Sequence, residues 1–234
     1  AMVIILYMAL VLYGTQVMTS VIEEKANRIV EVLVSSLTPF QMMLGKVIGV
    51  GLVGSTQLGI WAGAFLLLQK YQSTILGAFG AAGGDGAITA VLPSTDPMLL
   101  VVFLVFFVLG FLFYSSAYAA IGSMCNTVQE AQQLQSPIMV MTIAGWFSAF
   151  ALLRDPTSSF ARVASLIPPI APFVVPVRYS ISRIPLPELG LYLATMIIGL
   201  LVMVWVTARV YRVGILMYGK RASFRDLFRW IRAT

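Results

Sequence analysis

Three acids and two bases crowd into nine residues near the start of the chain: Glu23, Glu24, Lys25, Arg28 and Glu31. Only 10% of the 234 residues are charged, so so dense a mixture of signs stands out. It lies on an amphipathic segment, residues 20–37, where Ile22, Ala26, Ile29 (with Val30) and Leu33 recur at helical steps. Glu24, Asn27, Arg28 and Glu31 fall on the other side. Each charge at mid-bilayer costs about 2.5–3.5 kcal/mol on insertion scales, so such a helix does not cross a membrane. It lies on the surface or meets another protein.

Other chemistry is excluded by what the chain lacks. There is no histidine, which removes haem, His-ligated zinc, Ser-His dyads and histidine proton relays together. The single Cys125 excludes an internal disulfide and any multi-cysteine metal site. No Walker lysine loop, no HExxH and no paired carboxylates within a span are present, so no catalytic residue and no metal site is assigned. The apolar spans contain no Asp or Glu, which disfavours both an intramembrane enzyme and an ion-coupled carrier. Energy for any work therefore comes from outside the chain.

The elements that must position the cluster are transmembrane helices. The chain is 59% hydrophobic, with a mean hydropathy of +0.93, which a water-soluble domain of this size does not sustain. Five continuous apolar runs, about 2–20, 44–68, 98–121, 137–153 and 189–208, predict an all-α integral membrane protein with five spans, the fourth short. Continuity without alternation argues against a barrel. Ala1 already lies inside an apolar run, which suggests that the native protein extends upstream.

Net charge of +6 does not point to nucleic acid, because seven of the fifteen basic residues fall in the last 26 positions, beside a span. With residues 20–37 in the cytoplasm, that side holds Lys25, Arg28, Lys46, Arg209, Arg212 and the tail bases. The other side keeps Lys70, Arg154, Arg162, Arg178 and Arg183. Ten against five favours this orientation. Residues 70–97, glycine-rich around Gly83–Gly86 and ending in Pro93 and Pro97, read as a flexible external loop with a short helix near Ile75–Phe79. Residues 122–135 form a polar internal connection. The tail, 214–234, carries Phe224, Leu227, Phe228 and Ile231 opposite Arg221, Arg225, Arg229 and Arg232, a pattern suited to anchoring in lipid headgroups or meeting a partner.

Between Ile167 and Pro187 an apolar stretch carries Pro168, Pro169, Pro172, Pro176, Pro185 and Pro187, too dense for one helix. It predicts either a pair of half-inserted helices at the external face, ending near Arg178, or an interfacial loop lying flat. Gly45, Gly49, Gly59 and Gly63 space small residues along the second span, for helix packing or for sliding during transport. Polar residues within spans, with Gln16, Gln57, Ser115 and Tyr118 foremost, could line a translocation route or simply bond between helices. The 20–37 segment carries acids that an anionic leaflet repels, and Thr38-Pro39 follows at once, making a rigid charged elbow. Such an elbow is well built to pass movement from a soluble partner into the membrane.

The pattern Glu23-Glu24-Lys25-x-x-Arg28-Ile29-x-Glu31-Val32-Leu33, followed by Ser35, Pro39, Gly45-Lys46 and Gly49, resembles the first cytoplasmic signature of ABC-2 type permeases, closest to the sodium-extruding branch of the NatB kind. Gln129-Glu130-Ala131-Gln132-Gln133, Pro168 and Pro172-x-x-x-Pro176-x-Arg178 are similar to the same branch. The likeness spans about residues 14–213, and a permease domain over 1–213 follows from it. The resemblance implies an exporter in which two permease halves, identical or not, work with two cytoplasmic ABC ATPase subunits. ATP and Mg would be used by the ATPase, with no cofactor in this chain. Glu23, Glu24, Lys25, Arg28 and Glu31 would form the coupling helix that docks on it. Fuller members have six spans and a large external domain after the first; that part is missing here. The resemblance further implies a plasma-membrane location, with residues 20–37 and the C-terminus cytoplasmic, and sodium or a toxic amphiphile as cargo. The reading from another class is a non-transporting membrane scaffold that docks a cytoplasmic partner through the same elbow.

Overall fold

The computed structural model describes residues 2–34, 36–78, 96–215 and 217. Every regular element among them is a helix: α1 (Met2–Ala26), α2 (Ile29–Val34), α3 (Pro39–Ala78), α4 (Pro97–Met124), α5 (Val128–Leu134), α6 (Ser136–Ala151), α7 (Ser159–Leu166), α8 (Ala171–Ile181) and α9 (Leu186–Gly214). Helices α1, α3, α4 and α9 are each long and apolar enough to cross a bilayer; α5 and α6, bent by 50° at Gln135, supply a fifth crossing if they count as one. The chain is an all-α, multi-pass membrane protein. Ser35, the glycine-rich stretch 79–95 and the basic amphipathic tail from residue 218 lie outside the described residues.

Local chemistry sets the helix limits. Asp96 caps α4 by accepting from the Met98 amide at 3.0 Å, with Pro97 following at a position that needs no amide donor. Thr38 and Gln41 form a reciprocal box at the start of α3: the Thr38 amide donates to Gln41 Oε1 at 3.0 Å and the Gln41 amide to Thr38 Oγ1 at 3.4 Å. Thr127 caps α5 through the Glu130 amide, while Glu130 accepts from the Asn126 amide at 3.1 Å. Pro137, just inside α6, lacks the amide that would bond back to Gln133 O, and its ring crowds that carbonyl, so the α5 ladder does not run on into α6 and the pair bends.

Helix α4 is the centre of the bundle. It packs against α1, α9, α8 and α3, and its Phe106, Phe107, Phe111, Tyr114 and Tyr118 are buried. Lipid tails are as apolar as these side chains, so close packing rather than the hydrophobic effect holds the helices together. Among the described residues the four glycines expected to do this on the second span have no neighbour: a Cβ on Gly45, Gly49, Gly59 or Gly63 would meet nothing within 4 Å. Gly51 against Phe111 and Gly54 against Tyr13 make the α3 contacts instead.

The proline-rich stretch forms one short helix, α8, rather than a pair; the turn at 167–170 joins it to α7, which precedes the prolines, and Pro187 already lies in the first turn of α9. Gly199, halfway along α9, and Gly110, halfway along α4, leave room for Pro168 and Pro172. A Cβ on Gly110 would stand 2.8 Å from Pro172, and one on Gly199 would collide with Pro168. The hairpin turn therefore lies at mid-depth in the bundle. Its exposed backbone is satisfied there, because Tyr114 donates its hydroxyl to the Pro169 carbonyl at 2.6 Å and the Ala171 amide closes on Ile167 O at 2.8 Å.

Candidate functional site

The charged cluster does not form one separate helix. Nothing in residues 20–26 breaks a helix, so α1 continues through Glu23, Glu24 and Lys25 to Ala26. The chain then turns at Asn27-Arg28, where Arg28 takes a left-handed backbone (φ 55°), and the six-residue α2 follows. This break shifts the phase of the apolar stripe. Ile22 and Val30 are buried, whereas Ile29 is 44% exposed. The two ends of the stripe no longer share a face.

The elbow presents Glu23, Arg28 and Glu31 to the outside, together with Ile29, Val32 (72% exposed), Leu37 and Phe40. Exposed Gln129, Gln132 and Gln133 on α5 sit at the same end of the bundle, where α1 and α4 stop. Two members of the cluster face inward. Glu24 pairs with Lys46 of α3 at 2.6 Å. Lys25 is only 1% exposed and donates to two carbonyls, Ser123 O and Gly214 O, each at 2.8 Å. The structure thus takes Lys25 off the surface on which the sequence pattern places it. Beside it, burial pushes the Cys125 thiol up to about 11, with the Glu130 carboxylate adding to the shift and the Lys25 ammonium opposing it.

The four route candidates do not converge. Ser115 and Tyr118 lie in the interior on α4, and their hydroxyls have no hydrogen-bond partner among the described residues; the Tyr118 ring covers Gly14 of α1. Gln16 and Gln57 are on the outer face. Gln57 accepts a hydrogen bond from Tyr13, which ties α1 to α3. Tyr13 was marked by nothing beyond its place one turn from Gln16.

At the far end, the proline region and Arg178 form the most complete polar cluster. Arg178, 3% exposed, ends α8 and engages three partners: Nε donates to Pro156 O at 2.8 Å, Nη1 to the Tyr192 hydroxyl at 2.6 Å and Nη2 to Glu188 Oε1 at 2.8 Å. Tyr192 also donates to Glu188. Glu188 and Tyr192 are four residues apart on α9, a spacing that puts them on one face and could have been read beside Arg178. Pro168, Pro172 and Pro176 shape the hairpin that presents this arginine, and Pro172 and Pro176 are buried within α8. Among the described residues no three metal-binding side chains come together.

A bundle of long apolar helices with a charged elbow at one end and a short helical hairpin packed against α4 and α9 defines a polytopic α-helical membrane domain. The chain belongs to the ABC-2 family of transporter proteins, whose family model matches residues 1–209. It is similar to the uncharacterized protein YhaP of Bacillus subtilis, at 29% identity over 231 residues, covering 99% of this chain and 54% of that protein. It is also similar to the uncharacterized protein MJ1024 of Methanocaldococcus jannaschii, at 29% identity over 231 residues, 98% of this chain and 52% of that protein. The chain thus spans about half the length of the curated relatives it matches. No solved structure matches it.

Proposed function

We propose that this chain is the membrane-spanning part of an ABC-2 exporter, moved by a separate ATPase subunit that docks on the elbow. In this reading Glu23, Arg28 and Glu31 make the ionic contacts and Ile29 and Val32 seat the apolar ones. The elbow and C-terminus face the cytoplasm of a cell whose plasma membrane holds the bundle. A second permease half completes the transporter, and ATP and Mg are bound by the ATPase. Sodium or a toxic amphiphile is the cargo, on the strength of the NatB-like pattern.

The observation that carries this reading is the exposed, mixed surface of α2. Val32 at 72% and Ile29 at 44% exposure stand beside Arg28 and Glu31, between two long helices, in a sequence with no Walker lysine loop. The test replaces Arg28 and Glu31 together with alanine in the complex co-expressed with its ATPase. The expected result is at least tenfold weaker co-purification of the ATPase and loss of its stimulation. Unchanged binding with unchanged turnover refutes the docking role.

A further inference from the structure

Lys25 is a buried cation placed where three helices end. Its ammonium bonds Ser123 O in the last turn of α4 and Gly214 O, the final residue of α9, while its own residue sits in the last turn of α1. Helix C-termini leave carbonyls without intrahelical donors and carry partial negative charge, so two such ends converge on one positive group. Gly214 O also accepts the Met217 amide at 3.2 Å.

The junction is close-packed backbone to backbone. A Cβ on Gly122 of α4 would stand 2.7 Å from Met18 O of α1, and one on Gly214 would stand 3.0 Å from Ser123 O. The preceding residue, Glu24, brings in the start of α3 through Lys46. Two residues past Lys25 the chain turns into α2, whose Val30 is fully buried in a cluster with Met43, Val47, Tyr211 and Ile215. Any displacement of α2 is therefore felt at the start of α3 and at the ends of α1, α4 and α9 together, because close-packed interiors transmit strain rather than absorb it.

We propose that Lys25 is a positioning residue: it pins the end of α1 to the ends of α4 and α9, so that movement of the elbow is passed to the central helix and not dissipated in α2. This rests on the elbow being the ATPase docking site. An apolar side chain of the same length fills the junction but takes the shared donor from Ser123 O and leaves Gly214 O with the Met217 amide alone, so the polar tie among the three ends is lost. Docking survives, because Lys25 is not on the docking surface. Coupling does not.

The test uses the full complex with its ATPase in proteoliposomes and compares Lys25→Met and Lys25→Gln with the unaltered chain. The expected result for Lys25→Met is co-purification and ATP KM within twofold of the unaltered complex, with permease-dependent stimulation of turnover reduced at least tenfold. Lys25→Gln, which keeps a donor, recovers at least a third of that stimulation. If Lys25→Met yields no monodisperse complex, the split between binding and stimulation is read from Lys25→Gln, whose expected stimulation lies at least twofold below that of the unaltered chain. Full stimulation in the variant read, or binding and stimulation falling in parallel, overturns the proposal. The Arg28→Ala, Glu31→Ala variant run alongside separates the two readings. If ATPase binding is indifferent to it, the docking site is elsewhere and both readings fall. If it abolishes binding while Lys25→Met stays fully coupled, only the pin is wrong.

Discussion

Replacing Arg178 with methionine tests whether the far-end cluster is held by charge. The methionine keeps the length and apolar stem of the side chain and deletes all three hydrogen bonds, to Pro156 O, Tyr192 and Glu188. Breaking a buried ion pair costs about 3–5 kcal/mol, against about 0–1 for an exposed one. The Glu188 side chain is 24% exposed, so its unpaired carboxylate keeps some water and about 2 kcal/mol is the reasonable share. The orphaned Pro156 carbonyl adds about 1 kcal/mol. A total near 3 kcal/mol lowers the melting temperature by about 6–12 °C in a chain of this length. Glu188→Gln keeps an acceptor but strands the buried guanidinium and costs about 3 kcal/mol, or about 6–12 °C, whereas Tyr192→Phe, which loses one hydroxyl, costs about 1 kcal/mol, or about 2–4 °C. Adding Glu188→Gln to Arg178→Met removes the stranded charge and restores about 1–2 kcal/mol. The assay is tryptophan fluorescence of detergent-purified protein on heating, using Trp146, Trp205 and their fellows as reporters. An Arg178→Met protein melting within 1 °C of the unaltered chain, or no recovery in the double variant, refutes the reasoning.

The glycines separate by what surrounds them. Gly122→Ala drives a methyl group to 2.7 Å from the Met18 carbonyl and lowers stability by about 1–3 kcal/mol, whereas Gly59→Ala meets nothing and gains up to about 1 kcal/mol from helix propensity; opposite shifts in melting temperature are the check. Cys125 is 2% exposed with its thiol near 11, so at pH 8 the folded protein holds on the order of 0.1% thiolate against about 20% for a free thiol. Maleimide labelling in mild detergent is therefore expected to be at least 100-fold slower than in SDS, and equal rates would contradict the burial. The sign of the linkage follows: the fold holds this proton more tightly than the unfolded chain, so its contribution is complete below pH ~8.5 and is lost as pH rises through about 11.

Much of the architecture can be read from residues with a single meaning. Asp96-Pro97 and Thr38-Pro39-x-Gln41 announce helix starts, and the apolar runs between them have no alternative in water. Proline density between Ile167 and Pro187 marks broken helices because the missing amides forbid a continuous one. The failures have a common cause. A helix that is apolar on every side carries no sign of which face meets a neighbour, so Gly45, Gly49, Gly59 and Gly63 look like packing positions while Gly110, Gly145 and Gly199 do the packing against the hairpin. The same blindness grouped Gln16 and Gln57, on the outer face, with Ser115 and Tyr118, in the interior. At the elbow, the left-handed turn falls on Arg28 rather than on Asn27, the residue more tolerant of it, and that one dihedral decides which apolar side chains are buried. Lys25 is a charge whose partners are main-chain carbonyls 98 and 189 residues away, and carbonyls have no letter in a sequence.

Helix α3 is the longest of the candidate spans among the described residues. Its apolar stretch, Pro39–Tyr71, is 33 residues long, about 50 Å at 1.5 Å per residue, against a hydrocarbon layer of about 30 Å. The first half is gripped at Gly51, Gly54 and Leu58, while Ile60, Trp61, Leu66, Leu67 and Leu68 stand exposed among the described residues. Such an overlong rod relieves its mismatch by leaning, and the lean is set by the thickness of the surrounding bilayer. The rod begins at the elbow, so the angle at which the membrane tilts its free end is imposed at its root as well. Lipid chain length thereby bears on the root of α3, where Lys46 meets Glu24.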